Sequence, residues 1–255
     1  MNTASADANI PTTAEIFSLS WPMALRAVMM FSIVIIDLYL VSFLGEEAVA
    51  AIGLATVITG LVMGCTFAFA NAMQIKVAQA YGTEDPLELK TAFFSGLVIN
   101  VLLVLSGIIL ILIFAYPLLA MMAHTPQIAD GAAGYLTVFL LVMLAEAISS
   151  VLTSHFNCCG RTKLAFYSFL ISAPVNIGSS ILLIFGLYGF PQMGLAGAAW
   201  GSFLGAFLRL LYLAVMFYRS HGLFSEVTGW LHGSLVIATG RAKISRHVPR
   251  VTNLQ

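Results

Sequence analysis

Six long apolar runs constrain this chain of 255 residues more than any other feature. They fall at about 16–44, 48–80, 92–119, 132–155, 164–187 and 195–218. Each supplies the ~20 mostly apolar residues that a membrane-crossing helix needs. Between them stand segments with turn chemistry: GEE at 45–47, YGTEDP at 81–86, HTPQIADG at 124–131, CGRTK at 159–163 and YGFPQMG at 188–194. In hydrocarbon every backbone N–H and C=O must be satisfied inside the segment, so runs of this kind predict helices. The fold class expected is therefore all-α, a polytopic membrane protein with six spans. Composition agrees, because 9% of residues are charged where a soluble domain carries about 25%. The second run would make ~50 Å of helix and is expected to project beyond the bilayer.

Basic residues sort by connection. Lys76 and Lys90 flank the second, Arg161 and Lys163 sit in the fourth, and Arg219 follows the sixth run, while the first, third and fifth contain none. The positive-inside rule then places both termini in the cytoplasm and leaves three short outer loops. Residues 1–15 lack a basic n-region and a cleavage site and read as a short cytoplasmic arm. Residues 16–218 form the transmembrane body. From 219 to 255 the text changes character, with four of the eleven Lys and Arg residues between 241 and 250 and no run long enough to span. This segment reads as a cytoplasmic basic tail, disordered or aberrant in origin. A net charge of zero gives no reason to expect nucleic acid. Three cysteines make no disulfide framework, the five histidines have no ligand spacing, and neither GxSxG nor HExxH occurs. No enzyme activity, metal or cofactor is expected.

The informative residues are the polar ones inside the spans. Asp37, in SIVIIDLYLVSFLGEE, has no Lys or Arg within ten residues on either side. An intramembrane carboxylate is costly and normally faces a bundle interior or a watery cavity. Desolvation favours the protonated form of such a group, which puts proton or cation exchange within reach. Arg26 shares its helix face three turns earlier, ~16 Å along the axis and too far for a direct pair. Glu146, in LVMLAEAISS, is a second interior acid, either a second proton site or a hydrogen-bonded structural group. In the fifth run Ser172, Asn176, Ser179 and Ser180 fall on one helical stripe, with Pro174 able to bend the helix. The stripe suits either interhelical hydrogen bonding or a cavity lining. Gly197, Gly201 and Gly205, and Gly60 and Gly64, repeat at the spacing that lets helices pack closely. His155 is expected at the interface, and Trp21, Tyr116, Tyr188 and Tyr218 in the aromatic belts.

Several segments together resemble one family. SLSWPMAL opens the first run and IDLYLVSFLGEEAVAAIGLA follows; the second ends in VAQAYG and the fourth leads into FNCCGRTK. The last two carry APVNIGSSILLIFGLYGFPQMGLAGAAWGSFLG. Order and spacing over about 15–218 resemble the N-terminal six-helix half of multidrug and toxic compound extrusion (MATE) transporters. That resemblance implies a MATE-type lobe in the bacterial inner membrane. It also implies antiport, with Asp37, Asn176 and a helix-6 hydroxyl best matched by Ser202 forming a coupling-ion site. Where many members carry Asp or Asn, this chain has Ser180, which favours H+ over Na+ as the coupling ion.

The function expected is cation-coupled export of drug-like or cationic amphiphilic small molecules. Family members have twelve helices in two similar halves, so a homodimer or a second transporter half is the expected partner, alongside membrane lipid. The alternatives are a non-transporting truncated or accessory subunit, and a flippase for a lipid-linked substrate.

Overall fold

The computed structural model describes residues 13–82 and 86–221. Most of the expected arm and tail therefore lie outside the described residues. Within them the chain forms six helices: α1 (Thr13–Ser42), α2 (Glu46–Gly82), α3 (Pro86–Met122), α4 (Pro126–Cys158), α5 (Thr162–Phe185) and α6 (Gly194–His221). All six contain a stretch long and apolar enough to cross a membrane.

The helices overrun the apolar runs, mostly at ends where the sequence turns polar. Segment 86–91 becomes the first turns of α3, because charged residues such as Glu88 and Lys90 are good helix formers outside the hydrocarbon. Segment 126–131, expected as part of a break, is instead the start of α4. Pro126 stands at its first position and the Thr125 side chain accepts the Ile128 N–H at 3.4 Å. Helix α5 stops at Gly186, whose φ of 69° is the left-handed cap that glycine adopts without strain. A short 3-10 turn, Leu187–Gly189, then leads toward α6. Pro22, Pro117 and Pro174 are all carried within continuous helices.

Helix α4 is the central post. Within its apolar stretch 61% of residues are buried, against 11% for α1, which makes α4 the axis and α1 the rim. Its buried face is rich in small side chains, among them Ala132, Ala145, Ala147, Ser149 and Ser150. These allow α2, α3 and α6 to approach it. Helix α6 also packs along α5, α5 carries α1, and α1 touches α2 and α6 only lightly.

Of three apolar clusters among the described residues, one is a small group of Val142, Ala145 and Ala206, and the two larger lie toward opposite ends of the bundle. One gathers Leu40, Val41, Ala55, Leu119, Met143 and Ile184 toward the ends without Lys or Arg. The other gathers Val77, Phe93, Phe156, Leu213 and Phe217 toward the basic ends. His155, expected at the interface, belongs to this second core. It is 3% exposed, with ring centroids 4.9 Å from Phe93 and 5.2 Å from Phe217. Trp21, Tyr116, Tyr188 and Tyr218 are exposed.

Glycine spacing has two different outcomes. In α6, a Cβ on Gly197 would run into the backbone of Leu183, one on Gly201 into Ser180, and one on Gly205 into Asn176. That row is the seam between α5 and α6. Gly60 and Gly64 of α2 share the same spacing, but among the described residues no other helix comes within 4 Å of an added Cβ. Gly201→Ala should therefore cost about 1–3 kcal/mol through overpacking. Gly64→Ala should leave the lobe unchanged or slightly firmer. Thermal unfolding in detergent measures both; equal midpoints for the two variants would contradict the seam.

Candidate functional site

The inward face of α1 runs through Pro22, Arg26, Ile33, Asp37 and Leu40, the three-to-four-residue spacing of one helical face. Pro22 and Leu40 are buried, while Arg26, Ile33 and Asp37 are half-buried, because α1 is supported chiefly by α5. Asp37 receives a hydrogen bond from Ser202 of α6, Oγ to Oδ2 at 3.3 Å. Its other oxygen, Oδ1, is buried without a hydrogen-bond partner among the described residues.

Asn176 and Ser180 lie one turn apart on the buried face of α5, 8% and 0% exposed. They meet Gly205 and Gly201, the glycines that bracket Ser202 on α6. Asn176 Oδ1 and Ser180 Oγ are also buried acceptors without a partner among the described residues. The α5–α6 seam thus gathers Asn176, Ser180 and Ser202, and Ser202 ties that group to Asp37.

The rest of the stripe is engaged elsewhere. Ser172 is buried and donates to the Phe169 carbonyl at 3.3 Å. Ser179 turns toward backbone carbonyls, including that of Gly201 at 3.4 Å, and so serves the helix seam. Tyr135 of α4, 7% exposed, lies within electrostatic reach of Asp37. Nothing in its sequence setting, AAGYLTVF, singles it out.

Glu146 is in a different environment. Its carboxylate is ion-paired with Arg209 of α6, whose side chain is 6% exposed. Arg209 also stands 4.3 Å from the centroid of the Phe169 ring, and Arg26 reaches the same ring at 5.6 Å. Of the two alternatives read from sequence, this geometry favours the bonded structural acid. The pairing was within reach of sequence reasoning: an interior acid and an interior base on neighbouring spans are expected to neutralise one another. A second feature missed is Asn100 of α3, 1% exposed, which donates to the Ala147 carbonyl at 2.9 Å and to Ser150 at 3.2 Å on α4. Among the described residues no cluster of His, Cys, Asp and Glu could hold a metal.

With this geometry established, comparison with known proteins is decisive. The MatE family model matches residues 22–182. The chain belongs to the MATE family. It is 30% identical over 204 residues to the probable multidrug resistance protein NorM of Bradyrhizobium diazoefficiens, covering 78% of this chain and 43% of that one. It is 26% identical over 173 residues to the probable multidrug resistance protein YoeA of Bacillus subtilis, covering 68% and 37%. Among solved structures it superposes on a MOP-superfamily transporter from Pyrococcus furiosus with a TM-score of 0.73 at 20% identity, covering 80% of this chain and 44% of that one. The Vibrio cholerae MATE transporter VcmN gives 0.73 at 17% identity, covering 84% and 50%. These superpositions establish the six-helix MATE lobe as the fold. The chain spans less than half the length of those curated relatives. As a MATE protein with six apolar helices it is an integral, multi-pass protein of the bacterial plasma membrane.

The Glu146–Arg209 pair yields a stability prediction. Arg209→Met strands a buried carboxylate and should destabilise the lobe by about 3 kcal/mol, whereas Glu146→Gln with Arg209→Met should recover most of that loss. A double-mutant cycle on detergent unfolding checks it, and additive losses would show that the two groups do not couple.

Proposed function

We propose that this chain is one lobe of a cation-coupled antiporter that exports small amphiphilic molecules, and that Asp37 carries the coupling ion. One observation carries the reading: a carboxylate inside a membrane span whose only hydrogen-bond donor among the described residues is a serine hydroxyl on another helix. A hydroxyl can donate to a carboxylate and can equally accept from a carboxylic acid, so Ser202 suits both states of an exchanging proton. Asn176 and Ser180 bring further unpartnered oxygens beside Ser202. They supply no second carboxylate, which supports H+ over Na+ as the coupled ion.

In this mechanism Asp37 loses its proton when the lobe opens to the cytoplasm and regains one when it opens outward. Substrate moves the opposite way. Transport needs two lobes that enclose a path, and we infer that the second is another copy of this chain or a separate transporter half. The open face of α2 supports this reading. Among the described residues Gly53, Gly60 and Gly64 have no neighbour within reach of an added Cβ, while Val57 and Leu61 between them are 58% and 73% exposed. The basic residues at 76, 90, 161, 163 and 219 support a reading with both termini in the cytoplasm.

Asp37→Asn should insert and purify normally yet reduce proton-gradient-driven efflux from proteoliposomes to the protein-free level. Ser202→Ala should retain part of it. Efflux in Asp37→Asn that still follows the pH gradient would remove Asp37 from the mechanism. Cross-linking in native membranes should capture dimers. Monomers alone, with efflux no higher than an empty-vector control, would instead favour a non-transporting subunit.

A further inference from the structure

The second charged group along α1 is not used by the coupling mechanism. Arg26 of α1 and Arg209 of α6 both approach Phe169 of α5, and Glu146 of α4 is paired with Arg209. The cluster therefore holds two guanidiniums and one carboxylate. Among the described residues no acid pairs with Arg26, and its Nε is buried without a hydrogen-bond partner. Arginine stays charged in proteins, so this positive charge cannot be relieved by losing a proton. A ring face offers a desolvated cation far weaker compensation than an anion would.

A structural arginine near the end of a span normally snorkels, stretching its head toward the interfacial water. Arg26 does otherwise: its guanidinium lies over Phe169, and Arg209 stands on the same ring. Its helix face is half-buried, so the side chain is partly accessible from outside the bundle. Moving from Arg26 toward Asp37, that face offers Met29, Ile33 and Ile36, all half-buried and apolar. A fixed positive charge, an aromatic plane and an apolar strip suit a molecule with an acidic head and an apolar body.

We propose that Arg26, with Phe169 beneath it, binds the carboxylate or phosphate of an acidic amphiphile whose apolar part lies along Met29 and Ile33 toward Asp37. The identification of that molecule as the exported substrate rests on the transporter reading above; the binding site itself does not. It narrows the exported molecules to amphiphiles bearing an acidic group, alone or as part of a zwitterion, in place of plain cations. Glu146 then has a definite part: by neutralising Arg209 it leaves a single net positive charge for the ligand.

The test is equilibrium binding to the full chain in a neutral detergent, without any ion gradient, so that failure of coupled transport cannot obscure it. Dansylglycine and its methyl ester are matched probes, differing in one negative charge. Wild-type protein should bind the acid ~10-fold more tightly than the ester, as a charge-assisted hydrogen bond implies. Arg26→Gln should bind both probes equally, at the wild-type ester affinity, and Arg26→Lys should keep part of the preference. Micelles doped with phosphatidylglycerol separate two sources of the acidic group. Displacement of dansylglycine in wild type points to a lipid headgroup, and its absence points to a soluble molecule; either result, with the acid preference in place, supports the site. Equal wild-type affinities for acid and ester, or an undiminished preference in Arg26→Gln, would overturn the proposal.

Discussion

The close approach of α5 and α6 along Gly197, Gly201 and Gly205 is the contact on which the interior chemistry of the lobe depends. Without side chains at those positions, α6 settles directly onto Leu183, Ser180 and Asn176. That approach sets Ser202, between two of the glycines, opposite Asp37 on a third helix. Farther along α6 the same alignment presents Arg209 to Glu146 and Phe169. In a membrane the force holding such a seam is packing and interhelical hydrogen bonding, since lipid tails are as apolar as leucine. Ser179, donating to the Gly201 carbonyl, contributes one such bond.

The seam and the packing of α1 on α5 divide the interior into two electrostatic levels. At one, Asp37 meets neutral groups among the described residues: Ser202 directly, with Asn176 and Ser180 alongside. At the other, Glu146 is already neutralised by a fixed cation. An ion pair buried in a dry interior is held by the cost of separating it, which suits a structural role. A carboxylate facing a hydroxyl has no such commitment. The two acids are the same functional group in the same bilayer, held by different partners.

Much of the fold was legible in the sequence because the bilayer imposes a length and a polarity on each span, and six apolar runs meet both. The helix ends were less legible: polar first turns, such as those around Glu88 and after Pro126, continue a helix that hydropathy alone would end. Glycine spacing marked the α5–α6 seam, but it marked Gly60 and Gly64 equally. Spacing describes a helix surface without saying whether a neighbour covers it. The burial of His155 was not legible for a related reason. Its position near a helix end suggested the interface, while aromatic rings from α3 and α6 fold over it. Of the site, Asp37 could be found because a charge in an apolar run stands out. Tyr135 could not, because a tyrosine in a span looks like any other aromatic residue until the helices are assembled. The partnership of Glu146 with Arg209 lies between these cases, present in the sequence as opposite charges on separate spans.

The central claim is that Asp37 exchanges a proton during turnover, and infrared difference spectroscopy of the reconstituted protein tests it most directly. A step from acidic to alkaline pH should remove one carboxylic C=O stretching band and create a carboxylate band. Both changes should be missing in Asp37→Asn and kept in Glu146→Gln. An identical difference spectrum from wild type and Asp37→Asn would contradict the account.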